Sequence, residues 1–162
     1  RDLHLSIRRQ RQMCKETGDA LIDLDIKSAL FEHKRKGAMV SIITKEVPLD
    51  KASDYGMVVT DEEGRVLSFQ EKPKPEEALS NLASTGIYIF EPEVLDLIPS
   101  DTEFDIGSQL FPLLVEKGVP FFAQKRFFNW IDIGNVKDYW QVSQNVLKGE
   151  LCLLYTSDAA DE

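Results

Sequence analysis

Residues 38–44, Ala-Met-Val-Ser-Ile-Ile-Thr, form a nearly unbroken apolar run rich in β-branched side chains, and they follow a helically spaced segment that stops at Gly37. Such a run suits a strand buried on both faces. A strand covered above and below belongs in an α/β fold with a largely parallel sheet. Asp25 stands where its carboxylate can cap the preceding helix, whose apolar positions Ile26, Ala29 and Leu30 recur at helical intervals. His33 lies on the same face one turn on, which predicts a packed, hydrogen-bonded histidine rather than a metal ligand or base.

Further along, residues 57–59 and 66–69 flank the turn Asp61-Glu62-Glu63-Gly64 and predict a β-hairpin. The next loop, residues 71–79, contains Pro73 and Pro75 and excludes a regular interior element. Residues 85–90 read as a strand, and Pro92 starts a helix that Pro99 ends. Residues 105–117 have a helical pattern in which Pro112 must mark a start or a kink. Short strands follow over 121–128. A last helix begins at Asn135, with Val136, Tyr139, Trp140, Ser143, Val146 and Leu147 on one face that predicts core.

A chain of 162 residues, 43% of them hydrophobic and 29% charged, suits one domain with a real core. Its formal charge of −9 repels nucleic acid and anionic membranes, so neither is an expected partner. No apolar run approaches the ~20 residues that span a bilayer, and no charged-then-apolar leader opens the chain, so a soluble cytoplasmic protein is expected. Cys14 and Cys152 match no zinc-binding spacing. Residues 1–17 are a basic segment of uncertain origin, and residues 150–162 shift to small and acidic residues that read as a tail, either native or foreign to the domain. Oligomeric state is left open.

The residues that carry chemistry are few. Asp19 follows Gly18 and Asp132 precedes Ile133-Gly134, each where an element begins or ends. Two carboxylates converging at the carboxyl ends of strands would suit a hard cation such as Mg²⁺, whereas spacing alone reads Asp132 as a turn or cap residue. Glu71 and Lys72 offer a carboxylate for sugar hydroxyls and an ammonium for a phosphate, or else a loop ion pair of little energetic consequence. Pro73 is expected to hold Lys72 extended. Gly56 and Gly86 begin strands, where a bare backbone admits a ligand or simply serves a turn. No serine, histidine and acid arrangement points to a covalent nucleophile.

The ordered series GDALIDLDI, YGMVV with DEEGRV, FQEKP, SNLASTGIYIF with PEVLDLIP, FDIGSQLFPLLVEKG and WIDIGNVKDYW resembles the sugar-1-phosphate nucleotidyltransferases over residues 18–149. Its look is that of the mannose-1-phosphate guanylyltransferase-like members. The resemblance implies a partial Rossmann-like nucleotidyltransferase domain with a mainly parallel mixed sheet and a β-hairpin. It implies Mg²⁺ held by Asp19 and Asp132, Glu71 on the sugar, Lys72 on the sugar phosphate, and Gly56, Thr85 and Gly86 lining the sugar pocket. The implied substrates are a hexose 1-phosphate and a nucleoside triphosphate, GTP first among them. The glycine-rich G-x-G-T-R-L-x-P-L-T segment of such enzymes is not in this sequence, so a C-terminal fragment inactive alone is expected. The alternative is a non-catalytic sugar-phosphate-binding regulatory or assembly subunit.

Overall fold

The computed structural model describes residues 20–99, 103–133 and 136–149. Asp19, both cysteines, the basic N-terminal segment and the acidic tail lie outside them. The chain divides into two compact units, Asp25–Phe127 and a second one made of Arg1–Leu24 with Phe128–Glu162.

In the first unit, helix α1 (Ile26–Arg35) begins as its sequence predicts: Asp25 Oδ1 accepts the Ser28 N–H at 3.0 Å. It ends at Gly37, whose φ of 59° lets its own N–H and that of Ala38 reach back to Lys34 O and His33 O. The helix packs on the sheet through Ala29 and His33, while Ile26 and Leu30 are 64% and 41% exposed. His33 is fully buried between Ser41 Oγ at 2.8 Å and Glu91 Oε1 at 3.2 Å. Those bonds and the Gln124 side chain, which donates to Ala29 O at 3.0 Å, fasten α1 to one face of the sheet.

Five strands form that sheet: β2 (Val40–Glu46), β3 (Gly56–Thr60), β4 (Val66–Glu71), β5 (Leu82–Phe90) and β6 (Phe121–Lys125), in the order β4-β3-β5-β2-β6. β2 is buried on both faces as expected, with Val40 and Ile42 toward the main apolar cluster and Ser41 toward His33. The expectation of a mainly parallel sheet is corrected. Only β2 and β6 run parallel; β3/β4, β3/β5 and β2/β5 are antiparallel. The error has a physical source, since two-sided burial gives the same unbroken apolar run whichever way the neighbours point. The hairpin is present, with β3 and β4 joined through Asp61, whose Oδ1 accepts from Arg65 N at 2.7 Å. At its tip the chain bends back onto β6, where Ala123 N–H reaches Gly64 O at 2.8 Å.

The other face of the sheet is covered by residues 92–98 and 104–116. Pro92–Leu97 is a 3₁₀ helix rather than an α-helix. Residues 105–117 start as a π turn, Ile106–Leu110, and tighten into helix α2 (Phe111–Glu116). Pro112 explains the wide turn. It lacks an N–H, and its ring would meet the carbonyl four residues back, so the turn before it opens to i→i−5 spacing: Leu110 N–H bonds Asp105 O and Phe111 N–H bonds Ile106 O. Leu110, Phe111 and Leu114 then fill the core against Val40, Ile42 and Phe121.

In the second unit, β1 (Ala20–Ile22) pairs antiparallel with β7 (Trp130–Asp132), placing Ala20 opposite Asp132 and Ile22 opposite Trp130. Asp23 locks the end of the ladder, its carboxylate accepting from Asn129 N and Nδ2 at 2.6 Å each. Helix α3 (Val136–Leu147) buries Val142, but Tyr139 and Trp140 are 62% and 61% exposed, contrary to their expected place in the core. Trp140 is two residues from Val142, a rotation of about 200°. Among the described residues no helix is long and apolar enough to cross a membrane.

Candidate functional site

Glu71 is the last residue of β4 and stands opposite Gly56, the first of β3. The ladder runs one bond further, Lys72 N–H to Tyr55 O at 3.2 Å, before the chain turns. There Lys72 takes φ 45°, the only positive φ of a non-glycine residue among those described. Pro73 therefore does not hold it extended. The local preference of a residue before proline is overridden by the ladder bond on one side and the buried Pro73 on the other. Side chains seldom tolerate this backbone region, and such strain concentrates at functional sites.

Gly56 has a different reason to be glycine than ligand access. A Cβ there would run into the end of the Phe69 ring, which lies across it. Gly56→Ala is accordingly expected to destabilise the unit by about 1–3 kcal/mol through overpacking, read as a lower denaturation midpoint in urea. An unchanged midpoint would show that the ring yields freely.

β5 lies in the same sheet on the other side of β3 from β4. Between Ile42 and Thr44 of β2 the register on β5 jumps from Tyr88 to Ser84, so the intervening residues bulge. Gly86 forms the crest with φ 75° and open space where a side chain would be. Thr85 turns inward and pins the bulge, its hydroxyl donating to Ile43 O at 2.9 Å. Ser84 Oγ lies 3.3 Å from the Tyr88 hydroxyl and accepts from Gly86 N–H at 3.4 Å.

Tyr88 flanks this bulge. Burial raises its phenol pKa, and the nearby Glu71 and Asp105 charges raise it further against the opposing Ser84 hydrogen bond. Asp105 caps the π turn with two bonds at 2.6 Å, from Ser108 N and Oγ, and these hold its carboxyl below the usual range. Gly107, inside the same turn, faces the Glu71 carboxylate. The structure thus brings Gly56, Glu71 and Lys72 to one end of the hairpin, and sets Thr85 and Gly86 in the β5 bulge, where Ser84 meets Tyr88. Tyr88, Ser84, Asp105 and Gly107 received no role from the sequence, although Asp105 followed by Ser108 is a cap signal and Tyr88 lies two residues beyond Gly86.

Asp132 sits on β7 in the second unit. Its register partner, Ala20, is the residue after Asp19 in the chain. Asp19 itself lies outside the described residues, and carboxylate oxygens are the donors that Mg²⁺ prefers.

A family model described as nucleotidyl transferase matches residues 6–149, and the chain belongs to that family. It is 58% identical over 134 residues to the UTP–glucose-1-phosphate uridylyltransferase of Synechocystis sp., across 83% of this chain and 34% of that protein. To the glucose-1-phosphate adenylyltransferase of Bacillus cytotoxicus it is 37% identical over 143 residues, across 85% of this chain and 38% of the relative. Among solved structures, UDP-glucose pyrophosphorylase complexed with UDP-glucose superposes with a TM-score of 0.66 at 26% identity, covering 81% of this chain and 54% of that one. Its apo form gives 0.67 at 25% identity, covering 82% and 53%. The chain spans little more than a third of the curated relatives it matches. These relatives are uridylyl- and adenylyltransferases of glucose 1-phosphate by name, and they do not support the expected likeness to a mannose-1-phosphate guanylyltransferase or the choice of GTP.

Proposed function

We propose that this chain carries the sugar-phosphate-binding part of a Rossmann-like nucleotidyltransferase that joins UTP and glucose 1-phosphate into UDP-glucose and pyrophosphate. The observation that carries the reading is the strained Lys72 beside Glu71 at the end of β4; the strong likeness to a uridylyltransferase supports UTP and glucose 1-phosphate as substrates. Glu71 accepts hydrogen bonds from sugar hydroxyls and Lys72 pairs with the phosphate. Gly86 leaves room at the crest, Thr85 acts through the bulge it pins, and Gly56 acts through the Phe69 ring it admits. The phosphate oxygen of the sugar attacks the α-phosphorus of the nucleotide in line, and pyrophosphate leaves, so no covalent enzyme intermediate is required. Asp19 and Asp132 would hold Mg²⁺, which screens the phosphate charges when bound.

Calorimetric titration of the chain with α-D-glucose 1-phosphate and with α-D-mannose 1-phosphate tests the binding half of this reading. Glucose 1-phosphate is expected to bind at least about tenfold more tightly. Equal affinities would remove the sugar assignment, and no heat with either ligand would remove the site.

A further inference from the structure

We propose that Gly107, in the π turn Ile106–Leu110, is a positioning residue that seats the Glu71 carboxylate, an inference that rests on Glu71 being the sugar contact. A Cβ added at Gly107 would lie 2.9 Å from Glu71 Oε2, 3.2 Å from Phe69 Cε1 and 3.6 Å from Asp105 Oδ1. The first distance is too short for any real pair of such atoms, so something must move. The turn is fixed at its start by the Asp105 cap and by Gln109 Oε1, which accepts from Asp105 N–H at 2.7 Å. It is fixed at its end by fully buried Leu110 and Phe111. Phe69 is held edge-on against Phe111, with ring centroids 4.9 Å apart. The exposed Glu71 side chain is the part free to yield.

The wide turn forced by Pro112 therefore has a use. It carries a bare Cα up to the end of β4, close to both the Glu71 carboxylate and the edge of Phe69. Gly107 lies outside the left-handed region, so its lack of a side chain serves this contact and not a backbone conformation. Alanine suits helical backbone better than glycine, which offsets the few tenths of an ångström that Phe69 must give, so Gly107→Ala is expected to fold with an unfolding temperature close to that of the parent.

The test is a double-variant cycle on the full chain, read by calorimetry with α-D-glucose 1-phosphate. Gly107→Ala should weaken binding about tenfold, and Glu71→Asp, which shortens the reach, by a similar factor. A shortened carboxylate escapes the added methyl, so the double variant should bind no more weakly than Glu71→Asp alone, where independent effects would multiply to about a hundredfold. Parent-like binding by Gly107→Ala, multiplicative losses, or a lowered unfolding temperature that Glu71→Asp does not restore would each overturn the seat and leave Gly107 a packing residue. A parent chain that takes up no glucose 1-phosphate would instead overturn the site reading beneath it, a result distinguishable at the first titration.

Discussion

Phe111→Ala is expected to cost about 4 kcal/mol of stability, the scale of emptying a fully buried phenylalanine site. Phe111 has no exposed surface and meets three other rings: Phe69 edge-on at 4.9 Å, Tyr88 edge-on at 5.2 Å and Phe121 tilted at 5.1 Å. Each such pair adds about 0.5–1.5 kcal/mol beyond the burial of area. Against a typical domain stability of about 5–15 kcal/mol, that is a large share of the total, seen as a strongly lowered urea midpoint. The rings it releases also lie at the site, since Phe69 covers Gly56 and borders Gly107 while Tyr88 meets Ser84. Phe111→Leu fills most of the space and should retain folding while weakening glucose 1-phosphate binding. A destabilisation below about 1 kcal/mol for the alanine variant would mean that the neighbouring rings collapse into the gap.

The parts of this architecture that were legible in the sequence are those governed by local rules. Asp25 caps α1, Gly37 stops it, the Asp61 turn makes the hairpin and His33 is a bonded core histidine, each set by residues within a few positions or by a plain periodicity. Long-range pairing was not legible, because the apolar run of β2 carries no record of strand direction, and the antiparallel insertion of β5 between β2 and β3 follows from pairing over tens of residues. At the site, a local rule gave the wrong answer for Lys72, where the ladder bond to Tyr55 competes with the bias imposed by Pro73. Asp105 and Gly107 lay inside a recognised motif without a role, since their approach to Glu71 depends on an i→i−5 turn that ordinary helical spacing does not describe. Tyr139 and Trp140 show the opposite failure, a helical stripe that looks like core and is exposed on the described structure.

Lys72 permits a sharper experiment than removal of a charge, because its backbone and its ammonium make opposite contributions. At φ 45° a non-glycine residue costs about 1 kcal/mol or more, and glycine relieves that cost at the expense of a looser unfolded chain. Lys72→Gly is therefore expected to raise stability by up to about 1 kcal/mol, whereas Lys72→Ala keeps the strain and should not. Both lose the ammonium. A charge-assisted hydrogen bond is worth about 1.5–3 kcal/mol, so each variant should bind glucose 1-phosphate about 10- to 100-fold more weakly. Unphosphorylated glucose separates the neighbouring roles: its weaker binding should be nearly indifferent to Lys72 and abolished by Glu71→Ala. Because Lys72 is exposed, the parent's affinity for the phosphorylated sugar should also fall with added salt, and the two variants should lose most of that dependence. A Lys72→Gly chain that keeps full affinity would take the ammonium out of the site, while one with no gain in stability would show that Pro73 and the ladder bond relieve the strain by another route.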